Sequence, residues 1–347
     1  MQNKKQSGPA FYIIDGNSYI YRAFYAIRGL TTSAGMPTNA VFGFANMLMK
    51  VIKEKAPDLL AIVFDPKGPT RRHHEFKEYK AHRPPMPRDL VTQIPYIHKL
   101  VEAFRIPKFV VEGQEADDVI ATLARAAETR GMDITIVTGD KDILQLVGPR
   151  IQVYDTLKEK VYHAKDVEER FGVEPGRVVE IMGLMGDAAD NIPGVPGIGE
   201  KTAQTLIKQY GTIENLLSRA EEITKPKLKQ SLIESANLAR LSRELAILHD
   251  DVSIEVREED LKRCDPDNRA LLALLKELEF PSLLKYVVQE PAEEGTYTSV
   301  LDEQALNDMV RALSSTSEFC FDTETTSLDP LRAELVGISF AVRERHA

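Results

Sequence analysis

The sequence predicts an α/β protein on a mostly parallel central sheet, followed by a helical subdomain and then by the start of another α/β piece. Three observations carry that reading. Short apolar runs alternate with amphipathic segments of helix length between residues 11 and 137. After Asp155 the pattern turns helical, and after a polar joint at 289–296 (QEPAEEGT) strand and helix signals alternate afresh.

Taken in order, Phe11–Ile14 reads as a buried strand, Asn39–Lys55 as an apolar-periodic helix and Leu59–Phe64 as a second buried strand. A basic stretch broken by Pro84, Pro85 and Pro87 comes next, expected to be a mobile crossing segment, and then a helical pattern from Asp89 to Phe104. Lys108–Val111 and Ile134–Val137 supply further strands around an Ala116–Arg130 helix, so the sheet has at least four strands. Strands joined through helices pair in parallel. In the helical region, IPGVPGIG (192–199) reads as a tight turn between a helix ending near Met185 and one starting near Glu200. Beyond the joint, Ser299–Val300 and Phe319–Phe321 read as strands around a Glu303–Leu313 helix. The expected division is an α/β core over 1–175, a helical subdomain over 176–288, a linker over 289–296 and a further piece over 297–347.

The chain has 347 residues, 43% hydrophobic and 28% charged, enough to bury a substantial core and long for one compact domain. It shows no secretory signal and no apolar run of membrane-spanning length, so a cytoplasmic, membrane-free protein is expected. Its two cysteines, Cys264 and Cys320, stand far apart with no histidine or cysteine at metal-ligand spacing, which excludes a disulfide framework and a zinc site. A net charge of −9 argues on its own against a nucleic-acid partner. The distribution argues the other way. Lys67, Arg71, Arg72, Lys77, Lys80, Arg83 and Arg88 face only Glu75 and Glu78 in one short stretch.

The acidic residues cluster at strand ends. Asp15 closes the first strand, Asp65 the second, and Asp140 and Asp142 follow the strand ending at Val137; Glu115, Asp117 and Asp118 open the Ala116 helix. Asp187 and Asp190 lie in GDAADN. Carboxyl ends of parallel strands are where α/β proteins place ligands. One such aspartate is as readily a helix N-cap or a solvated turn. Together they would repel one another unless cations neutralise them. An all-oxygen set points to Mg²⁺ or Mn²⁺, and two ions about 4 Å apart would suit phosphodiester hydrolysis without a side-chain nucleophile.

The basic stretch is either a solvated loop or a phosphate contact, and its place between two ligand-edge strands favours the second. Lys80 and Arg83 are candidates for the scissile phosphate, and Phe76 and Tyr79 for base stacking, though their helical spacing equally suits packing. Gly194, Gly197 and Gly199 precede the Glu200 helix, where backbone N–H groups with Lys201 and Thr202 could grip phosphates; a plain structural turn is the alternative.

The segments IIDGNSYIYRAFYA (13–26), VFDPKGPTRR (63–72), YKAHRPPMP (79–87), EADDVIATLA (115–124), TGDKDILQLV (138–147) and MGDAADNIPGVPGIGEKTA (185–203) together resemble the 5′ nucleases of bacterial DNA polymerase I, relatives of phage 5′ exonucleases and flap endonucleases. The resemblance spans essentially the whole chain. It implies a PIN-like 5′ nuclease fold, with a helical arch over about 67–87 and a helix-hairpin-helix. It carries metal binding onto Asp15, Asp65, Glu115, Asp117, Asp118, Asp140, Asp142, Asp187 and Asp190, catalytic roles onto Lys80, Arg83 and Asp118, and DNA contact onto Arg71, Arg72, Phe76, Tyr79 and the turn residues. K⁺ at the hairpin is a further candidate.

Two positions depart from the family pattern: Arg71 stands where relatives often have Phe, and Asn39 where they often have Gly. FDTET (321–325) resembles the first motif of a ribonuclease-H-like 3′–5′ exonuclease, with Asp322 and Glu324 as ligands of a site whose other motifs would lie beyond Ala347. Such a chain, a fragment or truncated product, would neither proofread nor polymerise. The expected enzyme is a monomeric bacterial, nucleoid-associated hydrolase acting on 5′ flaps, nicks and 5′ ends of DNA and on RNA-primed DNA. The alternatives are a catalytically silent DNA-junction binder and a PIN-like single-strand ribonuclease.

Overall fold

The computed structural model describes residues 8–287, 296–327, 329, 331–343 and 346–347. They form two compact units that meet in sequence at Leu284 and Lys285. Most of the expected linker, 289–295, lies outside the described residues.

The first unit is built on six strands: β1 (Ala10–Asp15), β2 (Leu59–Val63), β3 (Lys108–Phe109), β4 (Asp133–Val137), β5 (Ile151–Asp155) and β6 (Lys160–Tyr162). Their order is β3-β2-β1-β4-β5-β6. All neighbours pair in parallel except β5 and β6. β1 is central, with Ile14 between Ile62 and Val137. Every residue of β2 is buried, as a strand covered by helices on both faces requires. The α/β class and the parallel sheet are therefore as expected, with β6 as an unanticipated antiparallel edge; its three residues are too few for alternation to register.

Two helices lie between β1 and β2. Helix α1 (Gly16–Ala26) follows β1 without a break, because the Asp15 carboxylate accepts the Ser18 N–H at 2.9 Å and caps it. It packs on α2 (Asn39–Lys55). The expected Asp89–Phe104 helix is two, Arg88–Val91 and Ile94–Ala103, divided before Pro95, which has no N–H to continue the first. One hydrophobic core runs from the sheet (Ile13, Val63, Ile136) through the Ala116–Thr129 helix (Val119, Ile120) into the helical region (Ile181, Leu184, Ile207, Leu245). The helical region thus shares its core with the sheet and holds a fixed place beside it.

In the second unit the Glu303–Ser314 helix is capped by Asp302, and β7 (Cys320–Thr325) pairs antiparallel with β8 (Leu335–Ala341). The expected strand at Ser299–Val300 is irregular chain. Asp322 and Glu324 are exposed on the same face of β7, two residues apart. Among the described residues no helix is long and apolar enough to cross a membrane.

Candidate functional site

β2 lies on one side of β1 and β4 on the other, so the chain departs from β1 in opposite directions and leaves a crevice at the carboxyl ends of the strands. Asp15, Asp65, Asp117, Asp140 and Asp190 line this cleft, with Lys80, Arg83 and Arg22. Asp15, Asp65 and Asp140 are each held by separate donors. Asp15 takes the Thr138 hydroxyl at 2.7 Å as well as the Ser18 N–H. Asp65 accepts the Ala116 N–H at 2.8 Å, which ties β2 to the start of the Ala116–Thr129 helix. Asp140 accepts the Asp142 N–H at 2.9 Å.

The electrostatics follow from this crowding. Burial, with Asp140 and Asp65 nearby, pushes the Asp15 carboxyl up to about 6. Burial and then Asp140, Asp15 and Asp65 push Asp117 well above the usual range. Asp142 is pushed up to about 8 by burial and by Asp140, and its Oδ1 is buried with no hydrogen-bond partner among the described residues. Asp65 is shifted upward too, chiefly by desolvation, although the residue keeps an exposed face. At Asp187, burial raises the carboxyl but the Lys141 ammonium at 2.7 Å outweighs it, leaving it below its ordinary value.

The basic stretch closes over the cleft. The resemblance implied a helical arch; the structure has a five-residue helix, α3 (Arg71–Glu75), then turns through Arg83. The turn is pinned at Lys80, which has a left-handed φ of 55° and donates its backbone N–H to the Asp190 carbonyl at 2.9 Å. Its ammonium donates to Glu115 Oε1 at 2.9 Å. Arg83 bonds the Asp190 carboxylate. Glu115 also accepts from Thr70, Arg72 and the Tyr79 hydroxyl. Burial would raise its pKa, yet Lys80 and Arg72 hold it below the ordinary value. The stretch is thus a clamp folded onto carboxylates, neither a long arch helix nor a free loop.

Four expected site residues are placed elsewhere. Asp118, expected as ligand and catalyst, is fully buried; both its oxygens face Arg72, at 2.6 and 2.9 Å, and it accepts the His249 N–H. Arg72, expected on DNA, is 2% exposed inside that network. Tyr79 is 3% exposed and packs in the core, so it presents no face for a base, and Phe76 packs partly buried against the same core. Arg71 is exposed, paired with Glu75 at 2.8 Å.

The hairpin turn divides in two. Gly194 is buried and gives its N–H to Ser242 Oγ at 2.9 Å, so that N–H is not a phosphate donor. Its φ is +64°, and a Cβ there would stand 2.5 Å from the Gly186 nitrogen. Gly194→Ala is expected to cost about 2 kcal/mol or more, read as a lower urea midpoint. Gly197 and Gly199 are exposed, with open space around them. Behind them Glu200 and Lys201 open an 11-residue helix whose first N–H groups have no intrahelical acceptor, and Lys201 is exposed and Thr202 half-buried beside them.

Sequence reading missed Arg22, Lys141 and Thr138. Arg22 reaches the cleft from α1, donates to Asp155 at 3.1 Å and packs where a Cβ on Gly139 would stand. Periodicity within 16–26 was the available signal for it. Among the described residues no three His, Cys, Asp or Glu side chains stand close enough together to hold a metal ion in this arrangement. The donor set nonetheless suits a hard divalent cation: oxygens only, buried, mutually repelling, with one orphaned Asp142 oxygen.

The comparisons agree with this fold. A family model described as the 5′-3′ exonuclease N-terminal resolvase-like domain matches residues 10–172, the 5′-3′ exonuclease C-terminal SAM fold matches 173–269, and a 3′-5′ exonuclease model matches 297–347. A 5′-3′ exonuclease of Aquifex aeolicus is 41% identical over 278 residues, 80% of this chain and 94% of that one. DNA polymerase I of Pseudomonas aeruginosa is 41% identical over 355 residues, covering 96% of this chain, which spans 39% of that protein's length. Among solved structures, the T5 D15 protein co-crystallized with metal ions shares the fold at a TM-score of 0.61 and 20% identity, over 77% of this chain and 98% of that one. The T5 D15 flap endonuclease in a complex with DNA and metal ions gives 0.59, at 20% identity over 80% of this chain and 96% of that one. The chain therefore belongs to the 5′-3′ exonuclease family of nucleases, in the form carried by the DNA polymerase I proteins it matches.

Proposed function

We propose that the chain hydrolyses DNA phosphodiesters as a divalent-metal-dependent 5′–3′ exonuclease and 5′-flap endonuclease, the nuclease portion of a DNA polymerase I. One observation carries this: Asp15, Asp65, Asp117 and Asp140 are gathered at the switch point of the sheet, under Lys80 and Arg83. These four carboxylates, with Asp142, Glu115, Asp187 and Asp190 around them, would hold Mg²⁺ or Mn²⁺, two ions suiting the charge. Metal bound there would supply Lewis-acid charge to the phosphate and an activated water.

The chain's own residues do the rest. Lys80 and Arg83 leave Glu115 and Asp190 and take the scissile phosphate, and Arg22 adds charge at the cleft wall. The turn at Gly197–Gly199, with Lys201 and Thr202, grips duplex phosphates without reading sequence, with K⁺ as a candidate ion there. Substrates are 5′ flaps, nicks, 5′ ends and RNA primers on DNA, met by a monomer at the bacterial nucleoid during replication and repair. The core spans 1–175 and the duplex-binding helical part 176–288; Asp322 and Glu324 belong to a separate 3′–5′ exonuclease-like piece over 297–347.

The test is incubation with a doubly end-labelled 5′-flap duplex in Mg²⁺ or in EDTA. Cuts near the junction in Mg²⁺ alone are expected. Tight binding without product would sink the nuclease and leave the silent junction binder; equal cutting in EDTA would remove the metal.

A further inference from the structure

Arg72 is the most enclosed charged residue of the clamp, and its guanidinium reaches two other parts of the molecule. Nε donates to the Leu245 carbonyl at 2.9 Å. Nη1 donates to Asp118 Oδ2 at 2.6 Å and to Glu115 Oε2 at 3.2 Å. Nη2 donates to Asp118 Oδ1 at 2.9 Å and to the Ile247 carbonyl. All five N–H groups of a guanidinium are thereby used, and Asp118 is completed by the His249 N–H at 2.9 Å.

We infer that Arg72 is a positioning residue, which through Asp118 and Glu115 registers the clamp, the start of the Ala116–Thr129 helix and the 245–249 segment against one another. Glu115 is bonded by Thr70, Arg72, Tyr79 and Lys80, all from the clamp. Of these, Tyr79 and Lys80 also reach Asp190, and Arg72 is the one that grips the 245–249 segment, at the Leu245 and Ile247 carbonyls. Lys80, eight residues on, is delivered to the cleft from that anchor. An ion pair kept only for stability needs neither the two backbone carbonyls from the distant segment nor the second carboxylate, since a buried pair contributes little net stability over an apolar replacement. The pattern instead fixes a position. Lysine could keep the charge but not the planar fork.

The inference rests on the nuclease reading. Its test compares wild type and R72K by single-turnover cleavage of a 5′-flap duplex in saturating Mg²⁺, by flap binding in EDTA, and by trypsin cleavage of the clamp at Lys77 and Lys80 without DNA. R72K is expected to cleave about a hundredfold more slowly, the scale of a small misplacement of reacting groups. Binding should stay within about threefold, because the hairpin grip is untouched. Clamp sites should become trypsin-sensitive while the thermal melt stays cooperative, a local change that a general loss of stability would not produce.

D118N serves if R72K does not fold. It keeps the shape and an acceptor for His249 while removing the charge that holds Arg72, and the same slow cleavage and clamp exposure are expected. Either folded variant with wild-type cleavage and an intact clamp overturns the positioning role. A wild type that never cleaves overturns the nuclease reading instead.

Discussion

Asp117→Asn is expected to lower flap cleavage about a thousandfold and, in EDTA, to raise the melting temperature. Both effects have one origin. Asp117 stands among Asp140, Asp15 and Asp65, and its carboxyl is pushed far up by burial and by those neighbours. In metal-free protein it adds repulsion that the nearby Lys80 charge offsets only in part, so a neutral amide of the same shape relieves about 1 kcal/mol. In the loaded enzyme the same charge would hold a cation whose stabilisation of the transition state is worth several kcal/mol, hence the thousandfold loss. Single-turnover rates in Mg²⁺ and melts in EDTA measure the two arms. An active Asp117→Asn protein would remove that residue from the cation site; a lower melting temperature would mean that the cleft is not under electrostatic strain.

The second large effect is on stability against pH. Metal-free protein is expected to be most stable near about pH 4 and to weaken toward about pH 8. Asp15 and Asp142 have folded values of about 6 and about 8, both above the ordinary 3.8. Between the ordinary value and those values the folded chain binds more protons than the unfolded one. Stability therefore falls as pH rises through the interval and levels off above it. Asp15 alone corresponds to a change on the order of 3 kcal/mol, and Asp142, coupled to the same cluster, adds less than its separate share.

Below the interval Glu115 and Asp187, whose values are lowered by their cations, lose their pairs on protonation, which brings stability down again. Mg²⁺ binds the ionised cluster and should flatten or reverse the decline. Urea midpoints from pH 4 to 9, with EDTA or with Mg²⁺, test this. A metal-free profile that rises from pH 5 to 8 would mean that these carboxyls are not held up in solution.

The fold was legible wherever an apolar run met an acidic residue. β1 and β2 each carry five apolar residues and β4 three, followed at once or nearly so by an aspartate, and the α2 boundaries coincide with the periodic segment. Helix α1 was not, because GNSYIYRAFYA opens with three residues that favour turns.

At the cleft the limit was finer. Asp117 and Asp118 are the same residue type at adjacent positions, and a helix turns them about 100° apart. One faces the carboxylate cluster and the other Arg72, 46 residues away in sequence. Arg71 and Arg72 are separated in the same way, one solvated and one at 2% exposure. Partners so distant leave no local pattern, and a family motif assigns such neighbours together. The clamp's shape was equally hidden, since Lys80 takes a left-handed backbone that its residue type does not announce.

The cleft's carboxylates arrive from separated stretches of chain, Asp15 first and Asp190 last. During synthesis from the N-terminus the first of them is made long before the last, and β4 must join β1 before even Asp140 can approach Asp15. A growing chain therefore has no cutting centre until GDAADN has emerged from the ribosome and the helical region has begun to pack. An enzyme that degrades nucleic acid is thus inert while the first half of this sequence is being made on the RNA machinery that makes it.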